Sequence, residues 1–381
     1  MIKYSIWLQN VLGYASLKVA GILDFFGSAK AIYDSDINTL KSSGLFSVAE
    51  LKRAADKDLK QAEAILEKCE NLQIKVIPFG SELYPYCLSV IENPPAVLYV
   101  KGNLPDFDNK PAIAIVGPRK VSEFGKKAAY SLSFRLARAG FTIVSGGALG
   151  CDSYAHAGAL KADEITVLVL GCGIGSNYLQ ENENLRRSVC EKGCLISEYP
   201  PETPANRYTF PVRNRIISAL SLGTVVIEAG VKSGALITAK HANEQGRDVF
   251  VIPNSLQNKE FLGSNQLLRD GAKPLLDVSD IFNEYIIRFP DKINIERAYE
   301  KPILVKSESK KMVQNKKIEK NLNETLSKNA KIVYNCLDKQ KFTPEEILAT
   351  GLSDEEILSA LTELEFEFYI KALPGGFYEK C

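Results

Sequence analysis

Histidine is nearly missing from this chain of 381 residues: only His156 and His241 are present. The eight cysteines are scattered, with no Cys-x-x-Cys pair, and Cys190 with Cys194 is an isolated couple. A zinc site needs clustered thiolate and imidazole ligands, so no metal is expected, and reduced thiols in a cytosol account for the cysteines. Long apolar runs are also missing. No stretch approaches the roughly 18 residues that cross a bilayer, and no apolar region follows Met1 as in a signal peptide. A cytoplasmic chain with no membrane partner is expected.

An excess of one charge is missing too. Lysine and arginine total 47 against 46 acidic residues, a net charge of +1. Total charge therefore does not mark a nucleic-acid binder, and that argument must be local. No G-x-x-x-x-G-K-[ST] segment occurs, which argues against an ATPase of the P-loop type. The nearest approach to a dinucleotide fingerprint, Gly171-Cys172-Gly173-Ile174-Gly175-Ser176, has its third glycine misplaced, which argues against NAD. No catalytic set stands out. Asp152 reads as a helix cap and His156 as a packed helical residue, so neither catalysis nor a cofactor is expected.

What is present is a change of pattern along the chain. Residues 1–73 carry apolar residues at helical spacing, with a long amphipathic stretch over 47–72. From residue 74 short apolar strands alternate with helices: strands near 74–77, 96–100, 112–116, 141–144, 166–170, 194–197, 224–227 and 248–252, with helices at 123–139, 154–161, 181–191, 215–221 and 235–245. Buried strands alternating with helices imply an α/β domain over 74–289, a doubly wound, Rossmann-like, mainly parallel sheet. Residues 290–328 hold Lys306, Lys310, Lys311, Lys316, Lys317 and Lys320 among polar residues and read as a flexible basic linker. Over 329–381, helices at 331–338, 343–349 and 353–364 and a hairpin about Pro374-Gly375 form a winged-helix pattern, with Ser353 and Glu356 as a capping box.

Four small-residue loops leave the ends of these strands. They contain Gly117-Pro118-Arg119, Ser145-Gly146-Gly147-Ala148-Leu149-Gly150, the 171–176 glycines, and Ala229-Gly230 leading to Ser233-Gly234-Ala235. Glycine admits close approach and a helix start favours an anion. In open α/β sheets ligands bind outside the carboxyl ends of the strands. The local charge agrees: between Lys110 and Arg138 there are seven basic residues, Lys120 among them, and one acid, Glu123. Arg213 and Arg215 flank Asn214 just before an apolar helix, with Phe210 three residues upstream of Arg213. Arginine forks onto phosphate, and an aromatic beside it offers a base a stacking platform. One of the two arginines is allowed a structural salt bridge, to Glu228 or Asp152. The expected DNA-binding set is Gly117, Arg119, Lys120, Ser145, Gly146, Gly147, Phe210, Arg213, Asn214, Arg215, Ser233, Gly234 and Lys240.

The segments 145–156 (Ser-Gly-Gly-Ala-Leu-Gly-Cys-Asp-Ser-Tyr-Ala-His), 210–217 (Phe-Pro-Val-Arg-Asn-Arg-Ile-Ile) and 233–239 (Ser-Gly-Ala-Leu-Ile-Thr-Ala), with Tyr84-Pro85 and Pro94-Pro95 upstream, resemble the bacterial DNA-processing proteins known as DprA or Smf. The resemblance spans nearly the whole chain. It implies a cytosolic homodimer that binds single-stranded DNA during natural transformation and loads the recombinase RecA onto it, with no cofactor and no catalysis. It assigns the DNA pocket to the 117–119 turn, the 145–150 loop, Phe210, Arg213 and Arg215. The chain departs from the family pattern at Pro118, Leu179, Asn254 and Phe368. Pro118 removes an N–H and a hydroxyl from its turn, which shifts weight onto Arg119, Arg213 and Arg215. Two other functions fit a cradle of this kind: a nucleotide N-glycosidase, whose Pro-Gly-Gly-x-Gly-Thr loop is absent here, and a sensor of a small nucleotide.

Overall fold

Pentapeptides such as Ala112-Ile113-Ala114-Ile115-Val116 have no polar face, so they form strands covered on both sides. They and their neighbours build one sheet of strands β1 (Lys75–Pro78), β2 (Val97–Gly102), β3 (Ala112–Val116), β4 (Thr142–Ser145), β5 (Thr166–Leu170), β6 (Cys194–Ser197), β7 (Gly223–Val226), β8 (Asp248–Val251) and β9 (Lys273–Pro274). The spatial order is β1-β2-β6-β5-β4-β3-β7-β8-β9. Strands β6 to β9 run parallel, and β2 pairs antiparallel with both β1 and β6. The sheet is thus mainly parallel and mixed at one edge. From β3 the chain winds outward one way through β4, β5 and β6, then returns to the other side of β3 with β7. The direction of winding reverses between β3 and β7, and that is where a ligand crevice opens in folds of this class.

This computed structural model describes residues 1–178, 180–255, 257–300, 326–335, 337, 341–342, 351–366, 369–373 and 377–380. The front helices are α1 (Ile2–Leu12), α2 (Val19–Phe26), α3 (Ala29–Asp34), α4 (Ile37–Ser42), α5 (Val48–Ala54) and α6 (Lys60–Asn71). The amphipathic stretch expected as one run over 47–72 is broken. Asp56 accepts from the Asp58 amide, Asp58 accepts from the Lys60 amide, and Lys57 Nζ reaches the Tyr33 carbonyl at 2.6 Å. Side chains that bond nearby backbone compete with helix continuation. Around the sheet lie α7 (Tyr86–Ser89), α8 (Glu123–Arg138), α9 (Cys151–Lys161), α10 (Glu183–Lys192), α11 (Thr209–Ala219), α12 (Gly234–Glu244), α13 (Leu262–Arg269), α14 (Ser279–Tyr285) and α15 (Ile295–Tyr299).

Front helices and sheet together form one compact unit, residues 1–299. The unit also takes in the first ten residues of the expected linker. Ile293 and Ala298 are buried, the Asn294 amide donates to the Ala139 carbonyl at 2.9 Å, and Arg297 meets Glu164 at 2.7 Å. Residues 301–325, with the lysines named above, lie outside the described residues, as do the 343–349 helix, the Pro374-Gly375 turn, Leu179 and Phe368. The second unit contains α16 (Lys328–Asn335), β10 (Lys341–Phe342), α17 (Asp354–Phe366), β11 (Ile370–Leu373) and β12 (Phe377–Lys380). Its strands are ordered β10-β12-β11 around a core that includes Val333, Phe342, Leu361 and Ile370. The Ser353–Glu356 capping box opens α17.

Two buried polar groups tie the first unit together. Arg215 and Glu198 are each 1% exposed and pair at 2.8 Å. Arg215 Nε also donates to the Asn93 carbonyl at 3.1 Å. Removing one partner of a buried pair strands the other charge, so Arg215→Ala is expected to lower unfolding stability by about 3–5 kcal/mol in urea titration. A loss under about 1 kcal/mol would contradict this structural role.

His156 on α9 is fully buried. The Thr166 hydroxyl donates to the Ile143 carbonyl at 2.9 Å, so at 2.7 Å it accepts from His156 Nδ1, which therefore carries the ring proton. Burial, aided by the charge of Arg213, pushes the imidazole pKa down to about 3. An unfolded chain takes up that proton near pH 6.5, so between about 3 and 6.5 the unfolded state binds more protons and stability falls as pH falls. From pH 7 to 5 this group alone contributes a loss of about 2 kcal/mol. The pH dependence of the urea midpoint should flatten by that amount in His156→Asn, and equal slopes in both proteins would contradict the assignment.

Candidate nucleic-acid interface

The loops after β3 and β7, the two strands flanking the switch point, form the walls of a cleft of about 550 Å³. One wall is Gly117, Pro118 and Arg119. The other is Gly230, Lys232, Ser233, Gly234 and Ala235, with Ile237 and Thr238 behind, and Phe210, Pro211, Arg213 and Asn214 of α11 close the side. Ser233 caps α12, its hydroxyl accepting from the Ala235 amide at 3.3 Å. The positive end of α12 therefore opens onto the cleft. Arg119 and Lys232 are exposed and lie on opposite walls. The Arg119 guanidinium sits 5.5 Å from the Phe210 ring centroid and that of Arg213 sits 6.0 Å away, while Tyr178 packs on the ring at 5.1 Å.

Of the four small-residue loops, only these two face the cleft with free groups. In the 171–176 loop the Gly173 amide donates to the Thr203 carbonyl and the Gly175 amide to the Pro201 carbonyl, both at 2.9 Å. Gly173 and Gly175 serve close packing against Pro200 and Pro201, and Gly171 leaves room for the Phe210 ring. In the 145–150 loop, Ser145, Gly146 and Gly147 are all buried. The Ser145 hydroxyl donates to the Ile115 carbonyl at 2.6 Å, and the Asn182 side chain donates to the Gly147 carbonyl at 3.0 Å. The Ala148 amide donates to Asp152 at 3.2 Å, and the first amide of α9, Cys151, donates to the Pro118 carbonyl at 3.2 Å. Gly150, at φ 86°, is required because a Cβ there would collide with the Arg119 carbonyl. Asp152 is not the expected cap: Gly150 holds the N-cap position without a side-chain cap bond, and Asp152, in the first turn, takes up a loop donor that a phosphate would otherwise need. Burial raises its carboxyl pKa, with Arg213 acting in the opposite direction.

Helix α11 begins at Thr209, six residues before the expected start, so both arginines lie inside it. Residues two apart on a helix are separated by about 200°, so Arg213 and Arg215 face opposite ways. Arg213 forms part of the cleft wall but is 5% exposed. Its Nη1 donates to the Gly146 carbonyl at 2.7 Å and to the Val169 carbonyl, and Nε donates to Asn214 at 3.2 Å. A Cβ on Gly146 would lie 2.6 Å from that guanidinium, which is why a glycine stands there. Arg215 leaves the cleft altogether for Glu198, not for Glu228 or Asp152. Glu228 is occupied elsewhere: its carboxylate accepts from the Ser122 amide and hydroxyl, each at 2.7 Å, at the start of α8.

The structure therefore brings Gly117, Arg119, Phe210, Arg213, Asn214, Ser233 and Gly234 together. Asn214 is the tie between helices, its Nδ2 donating to the Gly234 carbonyl at 3.3 Å. Lys120 and Lys240 are exposed but lie outside the cleft lining, and Lys240 meets Glu244 at 3.7 Å. Lys232 and Asp152 were not among the expected site residues. A lysine between Gly230 and Ser233-Gly234 was the available signal for the first. Asn254 secures its own turn, its side chain accepting from the Ser255 amide at 2.7 Å. Among the described residues no helix is long and apolar enough to cross a membrane, and no cluster of ligating side chains suits a metal.

This architecture has known counterparts. The family model described as DNA recombination-mediator protein A matches residues 75–286. The DNA processing protein DprA of Bacillus subtilis (strain 168) is 39% identical over 236 residues, covering 62% of this chain and 80% of the relative. The X-ray structure of DNA processing protein A from Streptococcus pneumoniae aligns with a TM-score of 0.65 at 29% identity, over 74% of this chain and 97% of that one. DNA processing protein A from Helicobacter pylori, described for its unique single-stranded DNA binding mode, aligns with a TM-score of 0.52 at 28% identity, over 57% of this chain and 97% of that one. By the extent of the model match and the identity to its relatives, the chain belongs to the DNA recombination-mediator protein A family.

Proposed function

We propose that the cleft binds single-stranded DNA through backbone charge and base stacking, with little sequence preference and without catalysis. The observation that carries this is one arrangement: two exposed cations, Arg119 and Lys232, on opposite walls, the start of α12 beside Lys232, and the Phe210 ring at the side. Phosphates meet the cations and the helix start, and a base meets the ring. Gly117, Ser233 and Gly234 keep the walls low enough for a backbone to approach. Arg213 shapes the floor behind Phe210. The single-stranded DNA binding described for the Helicobacter pylori relative supports the same ligand here. The wider role proposed with it is that of a cytoplasmic, homodimeric recombination mediator that delivers strands to RecA, its small second unit a winged helix; membership of the DNA recombination-mediator protein A family supports this reading. Stimulation of RecA filament growth on protein-coated single strands tests the RecA step, and no stimulation would sink it.

An N-glycosidase would need a carboxylate free to meet the sugar. Glu228, the glutamate nearest this cleft in sequence, is fully buried and held by Ser122, which weighs against that chemistry. A sensor of mononucleotides would bind them tightly and ignore oligonucleotides.

Two titrations test the reading. Affinity for a single-stranded oligonucleotide should exceed that for the matching duplex and fall steadily as salt rises, because phosphate contacts release counterions. Equal affinities, or no salt dependence, would contradict it. Arg119→Ala and Lys232→Ala should each weaken binding by about 1–3 kcal/mol, with a shallower salt slope in both. Unchanged binding in both variants would move the site elsewhere.

A further inference from the structure

Helix α11 carries Phe210 and Arg213 on its cleft side and Arg215 on the other. Arg215 leads directly to the front helices. Glu198, one residue past β6, is the junction. Its Oε1 accepts from Arg215 at 2.8 Å and from the Ala15 amide at 2.9 Å. Its backbone carbonyl accepts from the Gln9 side chain at 3.0 Å, and Gln9 in turn accepts from the Tyr99 hydroxyl at 3.1 Å. Next to this junction Tyr14 packs on Tyr199 with ring centroids 4.7 Å apart. Ala15 holds φ at 52°, a left-handed conformation that alanine rarely adopts and that the surroundings must sustain. The second carboxylate oxygen of Glu198 is buried with no hydrogen-bond partner. A buried carboxylate so incompletely satisfied is a poor choice for stability alone.

We infer that Glu198 is a positioning residue for DNA binding: it locks the loop between α1 and α2 to Arg215, and so fixes the α11 helix that presents Phe210 to the strand. The front helices thereby act on the cleft without touching DNA. This rests on the proposed single-strand site. Coupling is reciprocal, so a strand bound in the cleft must also tighten the docking of residues 13–18.

The test uses the full chain and an oligothymidylate. Glu198→Gln keeps the shape of the side chain and removes its charge, and Tyr14→Ala loosens the loop while leaving the Arg215–Glu198 pair intact. Each should weaken binding about tenfold, with the salt slope unchanged because Arg119 and Lys232 remain in place. In the wild type, added oligothymidylate should slow amide hydrogen exchange across 13–18, and this slowing should vanish in either variant. A purely structural role for Glu198 would raise exchange in free and bound protein alike and leave the DNA-induced slowing intact. Should Glu198→Gln fail to fold, Tyr14→Ala decides alone. Folded variants with wild-type affinity and wild-type slowing would overturn the inference. If the wild type itself fails to bind oligothymidylate, or Phe210→Ala has no effect, it is the proposed cleft that fails.

Discussion

An α-helix turns about 100° per residue, and the helix bearing Phe210 puts that geometry to two uses. Arg213 faces the cleft side and Arg215 faces inward, because they are two residues apart. One is anchored to the carbonyls of Gly146 and Val169, the other to Glu198. The same helix is thereby clamped on both flanks, and the aromatic at its first turn is held where the sheet leaves an opening. Most of what is particular to this protein follows from that clamp: the glycine at 146, the closed 145–150 loop and the seating of the front helices.

The opening itself is a consequence of chain order. Where winding reverses, between β3 and β7, the following loops diverge and leave a cleft. Elsewhere along the same sheet edge the loops are closed by their own neighbours. Gly173 and Gly175 pack on 200–203, and Asp152 takes the Ala148 amide. A row of glycine-rich loops is thus not a row of ligand sites. What distinguishes a ligand loop is the supply of donors and cations left over after internal bonding, and here Arg119, Lys232 and the start of α12 supply them. Pro118 fits this picture: it offers no amide, and its carbonyl is already occupied by the start of α9.

Much of this was legible in the sequence. Apolar strands with no polar face announced a parallel sheet, and small residues at successive strand ends marked the ligand edge. Phe210 and Arg119 were readable as an aromatic and a cation beside glycine. Which of the two arginines takes the structural salt bridge is not legible in the sequence, because the apolar run suggests a helix from Arg215, whereas the start at Thr209 fixes their phase. Lys232 stands among small residues, and only the fold brings it opposite Arg119. Glu198 could not be found from local pattern, since its partners are Ala15 and Arg215, far apart in sequence and joined only by the fold. The packing of residues 290–299 is hard to read for a similar reason: Ile293 and Ala298 are too few to announce burial, yet both are buried within the first unit.

The most direct measurement is photo-crosslinking of the intact protein to a single-stranded oligonucleotide carrying 5-iodouracil, followed by mass spectrometry of tryptic peptides. If the cleft is the binding site and Phe210 its stacking platform, the crosslink falls at Phe210, within the peptide 208–213. Crosslinks confined to the front helices or to residues 326–380, with none at Phe210, would contradict the account.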